Sequence, residues 1–580
     1  MTQSQSNQKN KIGNIIIIII SIIGLIAFIT LLFPQVRIVI MDLASQIVQK
    51  EASAYQTWIE VLFSYAIGGI CFILFFDYCT LTKSGRTLVQ NVKQEIKDCL
   101  SEIDFKALVK PVLLIFIVYF LGILTIIRAN FLYLDDIGRS IAGNIGWHDW
   151  SRYISFFTSI FLHADANLTD ISPLPQLFAI ITLSISSTLL VYVIGGRKVT
   201  IIKLLASTPL GLSPFFLECL SYKFDAPYMA LSVLASILPF LFIDRKKAFI
   251  FISVFCLLIM CMTYQASSGI YMLMTVIICF MHWNNKGKTN KEIISFLRLS
   301  VIMYCFSLLI FRVFLMKTSE IENFYASTAI YSLSNIVHGT LSNINNYALT
   351  INHDFGLIWK ICILSVLSFF IIKSVYKSAQ RKVLSFFVVF SVIVISFISS
   401  YGVYIILEKP LYEPRSMYGF GVFLAIICIN IVTDYKKFAT VTVLVLNWCF
   451  FVFAFSYGNA LADQARYAEF RIGVLLHDLS ALFSEQHNEL IFIQFQNSID
   501  YAPSIKNILK YYPIIERLVP KRLGVTNSYW DDYRYILDHF NYKKMELDCS
   551  PPIVNGNVVL DSYYHTIKSD GENFLVILKH

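Results

Sequence analysis

The sequence predicts a polytopic α-helical membrane protein with a small α/β domain at the C-terminal end of the chain. Hydrophobic residues make up 56% of the 580 residues, whereas charged residues make up only 15%. The mean hydropathy is +0.64, and the apolar residues form runs of roughly 17–25 residues, the length that a transmembrane helix requires. These runs end near residue 456, which predicts a soluble domain at 457–580.

We predict about 13 transmembrane spans from these runs. Residues 1–110 form an N-terminal extension with two spans, the first of which contains six consecutive isoleucines and is expected to be an uncleaved anchor. The basic stretch at 80–110 predicts an amphipathic helix on the cytoplasmic membrane surface. Residues 111–456 form the core domain. The predicted spans cover residues 13–34, 57–79, 111–130, 176–194, 201–217, 227–243, 247–263, 270–283, 294–315, 357–375, 383–406, 417–433 and 438–456.

The distribution of charge predicts the topology. Lysine and arginine cluster in short loops that all fall on the side of the N-terminus, which the positive-inside rule assigns to the cytoplasm. The odd number of spans then places the C-terminal domain outside, together with the longer loops at 132–175, 316–356 and 407–416. These clusters account for the formal net charge of +9, so a nucleic-acid partner is not predicted.

The C-terminal domain is predicted to mix helices and strands. The helical spacing that begins at GNALADQARY indicates that the last span continues outward as a helix. ELIFIQF predicts a buried strand, and SIKNILKYY and SYWDDYRYILDHF predict two helices. The segment NVVLDSYYHTIKSDGENFLVIL predicts a hairpin that turns at Ser569-Asp570-Gly571.

No organic cofactor is predicted from the motifs. All 12 cysteines except Cys549 lie in or beside apolar segments, and no CxxC motif is present, which argues against disulfides and metal–thiolate sites. The sequence also contains no P-loop or other nucleotide-binding motif in a suitable context. Two His/Asp pairs, His148-Asp149 and His163 with Asp165, are a weak indication of a metal site. A divalent metal ion is therefore the one cofactor left open.

The candidate catalytic residues are Asp135 and Asp136, which directly follow the predicted span at 111–130. A carboxylate is costly in hydrocarbon, so an acidic pair at the mouth of a span indicates a functional site. Neighbouring side chains diverge by about 100° on a helix, so the two carboxylates are expected to have different roles. The alternative is that one of them only caps an interfacial helix.

Trp147, in the same loop, is expected either to stack on a sugar ring or to lie in the interfacial aromatic belt.

Four cations near the outer ends of the spans are candidate phosphate ligands, and Glu218 is a candidate for the same cavity. The cations are Arg139, Arg152, Lys223 and Arg415. Arginine suits this role because its fork binds phosphate oxygens in pairs. Taken alone, each cation is better explained as an anchor that reaches the lipid headgroups, except Arg415, for which the two roles are equally supported because Pro and Gly keep it close to the bilayer surface. Glu218 is equally explained as a partner of Lys223. Carboxylates and cations close to the lipid suit the transfer of a sugar from a lipid phosphate to a hydroxyl group. In such a reaction one carboxylate acts as the base that removes the proton of the hydroxyl.

Six segments, taken in order, resemble the bacterial serotype-converting O-antigen glucosyltransferases of the Gtr type. They run from Asp135 to about Arg522 and read DDIGRSIAGNIGW, TDISPLPQ, SPFFLECLSYKFDAPYMALS, EPRSMYGFG, YGNALADQARY and IERLVPKRL. The resemblance implies a GT-C-like fold in the bacterial inner membrane. It implies transfer of a sugar, glucose in this family, from undecaprenyl phosphate to O-antigen or a related surface glycan at the periplasmic face, without a nucleotide. It also places the catalytic position at Asp135 and Asp136.

Two other functions are considered. An O-antigen polymerase or ligase is also polytopic, but it would depend less on an Asp pair after the first core span and commonly lacks a soluble C-terminal domain. A flippase for lipid-linked oligosaccharides would carry charges within several spans, whereas the charges here cluster at the ends of spans. The partners expected are therefore the lipid-linked sugar donor, the glycan acceptor and membrane lipid.

Overall fold

The structure is a computed structural model. It describes residues 78, 82–143, 146–316, 329–432, 437–483, 491–523, 536, 537, 539, 540, 545, 546, 556–571 and 573–579. The first two predicted spans, at 13–34 and 57–79, lie outside the described residues apart from Tyr78. Contacts divide the chain into two units. The first comprises Met1–Ile103, Asp244–Phe251 and Cys305–Lys317, and the second comprises Asp104–Ile243, Ile252–Tyr304 and Thr318–His580.

Helices dominate the described part of the chain. In chain order they are α1 Lys83–Ser101, α2 Phe105–Ala129, α3 Asp135–Ala142, α4 Tyr153–His163, α5 Leu174–Ile194, α6 Ile201–Ala206, α7 Pro209–Leu212, α8 Pro214–Ser221, α9 Ala226–Ile237, α10 Lys246–Thr263, α11 Ser268–Asn284, α12 Asn290–Ile310, α13 Ile336–Asp354, α14 Leu357–Lys377, α15 Lys382–Ser399, α16 Pro414–Met417, α17 Gly419–Val432, α18 Lys437–Phe483, α19 Pro503–Leu509 and α20 Ile515–Leu518. The strands are β1 Ile491–Gln496, β2 Met545–Glu546, β3 Asn557–Asp561, β4 His565–Ser569 and β5 Asn573–Leu578.

Within the first unit, α1 is held at both ends. Its N-terminus is capped by the side chain of Thr82, which accepts the backbone N–H of Gly85 at 2.9 Å. Towards its C-terminus, Glu95 accepts the backbone N–H groups of Lys247 and Ala248, each at 2.9 Å. The predicted amphipathic helix at 80–110 is therefore present, although it ends at Ser101 and a new helix begins at Phe105.

Eight helices in the described residues are long and apolar enough to cross a membrane, which supports a membrane protein. They are α2, α5, α10, α11, α12, α14, α15 and α18, and each overlaps one predicted span. A ninth crossing is possible if the segments Ile201–Leu212 and Pro214–Ser221, which are bent by 61°, form one broken span. The bend lies at Ser213-Pro214, where proline has no N–H to continue the preceding helix.

Two further predicted spans, at 227–243 and 417–433, correspond to shorter apolar helices. In the first, α9 continues directly as a 3-10 helix to Phe242, so that Ala226–Phe242 is helical over 17 residues, and the second contains α17, of 14 residues. Both are almost completely buried, which explains their apolar sequences without exposure to lipid. The loop predicted at 316–356 also contains a 19-residue helix, α13.

Helices α2 and α18 run side by side in the same direction. Thr125 Oγ1 donates to the carbonyl of Ala454 at 3.2 Å, and Arg128, one turn further on, donates to the Asn459 side chain. A Cβ atom on Gly458 would lie 2.4 Å from Thr125 Oγ1, so only glycine permits this close approach. The segments that follow the two helices therefore leave the bundle at the same end.

The C-terminal region contains a mixed five-stranded sheet with the strand order β2-β1-β5-β4-β3. Strand β1 is parallel to β2 and β5, and β3, β4 and β5 form an antiparallel meander. The predicted strand at ELIFIQF and the predicted hairpin are confirmed, and the predicted helix SYWDDYRYILDHF lies largely outside the described residues. The sheet packs on the end of α18 through a buried cluster that also includes Ile137 of α3.

Candidate active site

Ion pairs connect residues 218–225, the end of α8 and the loop before α9, to three distant parts of the chain. The acidic and basic side chains of this stretch are all buried. The three pairs are Glu218–Arg415, Lys223–Asp170 and Asp225–Arg139. Five of the seven residues predicted for the site, including Asp136, therefore meet around residues 218–225.

Asp135 and Asp136 lie in the first turn of α3, and their surroundings differ completely. The preceding residue, Leu134, has a positive φ of +35°, an unfavourable conformation for a branched side chain. Asp135 is exposed, and no described residue forms a hydrogen bond with its carboxylate. Asp136 is 0% exposed. This contrast agrees with the expectation that adjacent carboxylates on a helix point to different environments.

Both oxygens of Asp136 accept backbone N–H groups. Oδ2 accepts from Tyr133 at 3.2 Å and from Lys223 at 3.0 Å, and Oδ1 accepts from Phe224 at 3.5 Å. Burial raises the pKa of Asp136 to about 7, although the N–H of Lys223 and the charge of Arg139 both oppose this shift. The side chain thus ties the start of α3 to the segment after α8.

Glu218 pairs with Arg415, so the alternative that it pairs with Lys223 is wrong. Its Oε1 atom accepts from Arg415 Nη1 at 3.0 Å, and its Oε2 atom accepts the backbone N–H of the same residue. The Tyr133 hydroxyl lies 3.4 Å from Oε1 as a further donor. The guanidinium carbon of Arg415 lies 5.3 Å from the centre of the Tyr222 ring. Glu218 is 1% exposed, and its two hydrogen bonds fix the orientation of Arg415.

Two of the predicted phosphate ligands are occupied by partners within the protein. Lys223 donates to Asn130 at 2.6 Å and to Asp170 at 3.0 Å, and it is 2% exposed. Arg139 pairs with Asp225 and stacks on Trp147, with its guanidinium carbon 4.6 Å from the ring centre.

Trp147 is 0% exposed, and its Nε1–H donates to Asp225. It therefore lies in neither of the two predicted places, a sugar-binding surface or an interfacial belt. Trp147 is buried because its indole N–H donates a hydrogen bond to the buried carboxylate of Asp225.

Arg152 has a different environment from these two cations. Its guanidinium carbon lies 4.8 Å from the centre of the Tyr264 ring, and its buried Nε atom has no hydrogen-bond partner among the described residues. The charges of Arg152 and Arg415 both act on Tyr264 and Tyr404. The two arginines, which are far apart in sequence, therefore lie near the same two tyrosines.

The C-terminal segment around α20 contacts the same region, a contribution that sequence reasoning missed. The carbonyl of Leu518 accepts the hydroxyl groups of Tyr133, at 2.8 Å, and Tyr457, at 3.2 Å. Arg517 pairs with Asp354 and donates to the carbonyl of Tyr412. The only available signal was the segment IERLVPKRL, whose two arginines are unusual between buried apolar residues.

The predicted His/Asp pairs do not form a metal site in the described part of the chain. No group of three or more His, Cys, Asp or Glu side chains there is arranged to hold a metal ion. The ring of His163 stacks instead on Phe224, with 5.9 Å between the ring centres. Burial lowers the pKa of His163, so the ring is neutral at pH 7.

Comparison with known proteins places the chain in a family. The chain is 25% identical over 448 residues to an uncharacterized 55.3 kDa protein in the gtrB 5′ region of Salmonella phage P22, a match that covers 72% of this chain and 88% of the relative. No solved structure matches the chain significantly. The family model of the glucosyl transferase GtrII matches residues 124–426, more than half of the chain and the part that carries all seven predicted site residues. The protein is therefore a member of the GtrII glucosyl transferase family.

Proposed function

We propose that this protein transfers a glucosyl group from undecaprenyl phosphate to O-antigen, or to a related surface glycan, at the periplasmic face of the bacterial inner membrane. Membership of the GtrII family supports glucosyl transfer, and eight apolar helices support a reaction at the membrane. The carrier, the side of the membrane and the mechanism are our inference from the chemistry of the site.

The observation that carries the mechanism is the contrast between the two adjacent carboxylates. A pKa of about 7 would suit a general base, but a base must first be able to reach the proton that it removes. Asp136 is fully buried, and backbone N–H groups occupy both of its oxygens. Asp135 is exposed at the start of the same helix. We therefore assign the base to Asp135 and a positioning role to Asp136.

In the proposed step, the Asp135 carboxylate takes the proton of an acceptor hydroxyl as its oxygen attacks the anomeric carbon of the donor sugar. The new bond between carbon and oxygen forms as the bond from the anomeric carbon to the phosphate oxygen breaks. Undecaprenyl phosphate leaves with the bonding electrons. A single displacement of this kind inverts the configuration of the anomeric carbon.

Arg415 and Arg152 are assigned to the phosphate of the carrier. Arg152 stacks on Tyr264 and Arg415 stacks on Tyr222, the charges of both act on Tyr264 and Tyr404, and the buried Nε of Arg152 lacks an acceptor among the described residues. A phosphate oxygen would supply that acceptor and would neutralise two charges in a region of low dielectric. Arg139 and Lys223 are assigned to positioning: Arg139 pairs with Asp225 and stacks on Trp147, and Lys223 donates to both Asn130 and Asp170. Arg415 is also paired, with Glu218, and it is assigned to the phosphate because its charge acts on the same two tyrosines as that of Arg152.

The experiment that tests this function is glucosyl transfer by the purified protein in lipid nanodiscs. The donor is synthetic undecaprenyl-phosphate-glucose labelled in the sugar, and the acceptor is the lipid-linked O-antigen of the host strain. We expect transfer from the lipid donor, no transfer from a nucleotide sugar, and a product of inverted anomeric configuration by NMR. Transfer from a nucleotide sugar alone, or no transfer from the lipid donor, would contradict the proposal.

A further inference from the structure

A second polar site lies next to the one described above, at the C-terminal end of α13. It is an open pocket of about 520 Å³, within the roughly 300–1,000 Å³ range of small-molecule sites. The side chains that matter for its chemistry are Asn346, Thr350, Asp354, Tyr412, Glu413 and Arg517. None of them belongs to the proposed base or phosphate ligands.

Asp354 is the most informative residue of this pocket. It is 0% exposed, and its Oδ2 atom pairs with Arg517. Its Oδ1 atom is buried and accepts no hydrogen bond among the described residues, with His353 Nδ1 3.5 Å away. A buried carboxylate oxygen without a donor is unusual in a folded protein. A sugar hydroxyl would supply the missing donor once the side chain of Asp354, which is 0% exposed in this structure, turns toward the pocket.

The other lining residues indicate which class of ligand fits. Asn346, Thr350 and Tyr412 offer neutral donors and acceptors, and Glu413 offers a second carboxylate. Two carboxylates and one arginine disfavour an anion such as phosphate, because a free negative charge would meet a net negative lining. A hydrocarbon chain would leave Asp354 without a donor. A sugar carries several hydroxyl donors together with apolar C–H faces, for which Leu349 provides a contact.

The pocket adjoins the proposed reaction centre through two short stretches of chain. Glu413 lies two residues before Arg415, which Glu218 holds through the backbone and the side chain. Arg517 directly precedes Leu518, whose carbonyl accepts the hydroxyl of Tyr133. We propose that this pocket binds a sugar residue of the acceptor glycan. This inference rests on the proposed function, since it assigns a place to the second substrate of the same reaction.

The test fills the pocket and measures binding apart from catalysis. Thr350→Trp places a large side chain in the pocket, and Glu413→Gln removes one carboxylate with little change in volume. Asn345→Trp is the matched control, because Asn345 is exposed on the same helix and does not line the pocket. The probe is the delipidated O-antigen oligosaccharide of the host strain. Its binding to the full-length protein in nanodiscs, without any donor, is measured by saturation-transfer NMR and titration.

We expect saturable binding to the wild type and to Asn345→Trp, binding at least 10-fold weaker to Thr350→Trp, and an intermediate loss for Glu413→Gln. In the transfer assay, Thr350→Trp should raise the KM for the acceptor and leave the KM for the lipid donor unchanged. Equal binding to the wild type and Thr350→Trp, no binding to the wild type, or a change confined to the donor KM would each overturn this assignment. Failure of the proposed function gives a different result: the oligosaccharide binds in the pocket, but no glucose is transferred from the lipid donor.

Discussion

Asp136 accepts the backbone N–H of Lys223 at 3.0 Å, although 87 residues separate the two in sequence. This bond fixes the start of α3 to the segment that carries Glu218 and Asp225. Because Glu218 in turn holds Arg415, two buried carboxylates, Asp136 and Glu218, connect the exposed Asp135 to the proposed phosphate ligand.

Replacement of Arg415 by alanine should weaken the binding of the lipid donor. A hydrogen bond to a charged group is worth about 1.5–3 kcal/mol, so the donor KM should rise roughly 10- to 100-fold. Arg415→Lys should restore binding only in part, because an ammonium lacks the planar fork. Arg466→Ala is the control, since its side chain is 74% exposed and pairs only at the surface.

The Arg415→Ala change also leaves Glu218 as an unpaired buried carboxylate, which is destabilising in itself. The double variant Glu218→Gln/Arg415→Ala removes that charge and separates folding from binding. A normal donor KM in the folded double variant would reduce Arg415 to a structural role.

The two tyrosines that donate to Leu518 should show strong coupling. In either single variant, Tyr133→Phe or Tyr457→Phe, the carbonyl of Leu518 keeps one donor, so the loss of stability should be about 1 kcal/mol. In the double variant this buried carbonyl loses both of these donors, and the loss should exceed the sum of the two. Thermal unfolding of the purified proteins measures all three values. Simple additivity would show that the shared carbonyl is not what the two hydroxyls stabilise.

Acid should weaken the C-terminal region through Asp500. Burial alone would raise the pKa of this carboxyl, but hydrogen bonds from Lys506, the Tyr501 backbone and Lys521 outweigh it and hold the pKa below its usual range. Because the folded-state pKa is lowered, the stabilisation is complete above the unfolded pKa of about 3.9 and is lost as the pH falls through and below that value.

Asp500→Asn removes this contribution, which is about 1 kcal/mol because the two lysines are largely exposed. The difference in Tm between wild type and Asp500→Asn should therefore be present at pH 7 and shrink below pH 4. A difference that is constant with pH would contradict the assignment to this carboxylate.

The orientation in the membrane is also predicted. We expect the N-terminus in the cytoplasm and the C-terminus in the periplasm, because the basic loops all fall on the N-terminal side. A periplasm-active reporter fused after His580 should be active, and one fused after Lys247 should be inactive. The reverse pattern would place Asp135 in the cytoplasm, because α2 and α18 leave the bundle at the same end.

Hydrophobicity was sufficient to predict most of the fold. Long apolar runs correspond to long helices, because a membrane span must satisfy its backbone hydrogen bonds within itself. Hydrophobicity does not distinguish the short buried helices at 227–243 and 417–433 from longer spans, because a helix buried within protein is as apolar as one exposed to lipid. Hydrophobicity also gives no information on direction, so the bend at Ser213-Pro214 was not predicted.

The sequence indicated which charged residues lie together, but not how they pair. Charged residues at the ends of apolar segments identified Asp136, Arg139, Glu218, Lys223 and Arg415, which the structure brings together. Proximity in sequence suggested that Glu218 pairs with Lys223. Glu218 instead forms its ion pair with Arg415, which is 197 residues away in sequence. Likewise, no local pattern distinguishes Asp136, which is buried by the segment after α8, from its exposed neighbour.

The most direct test compares Asp135→Asn with Asp136→Asn in the transfer assay, at matched amounts of folded protein. A general base contributes typically 10²–10⁴-fold to the rate, or about 3–5 kcal/mol of the barrier. We expect Asp135→Asn to fold normally, with a kcat reduced by at least 100-fold and an unchanged donor KM. Asp136→Asn should lower Tm and the yield of folded protein, while the molecules that fold keep much of their turnover. Full turnover by Asp135→Asn, or complete inactivity of a normally stable Asp136→Asn, would contradict the assignment of the base to Asp135.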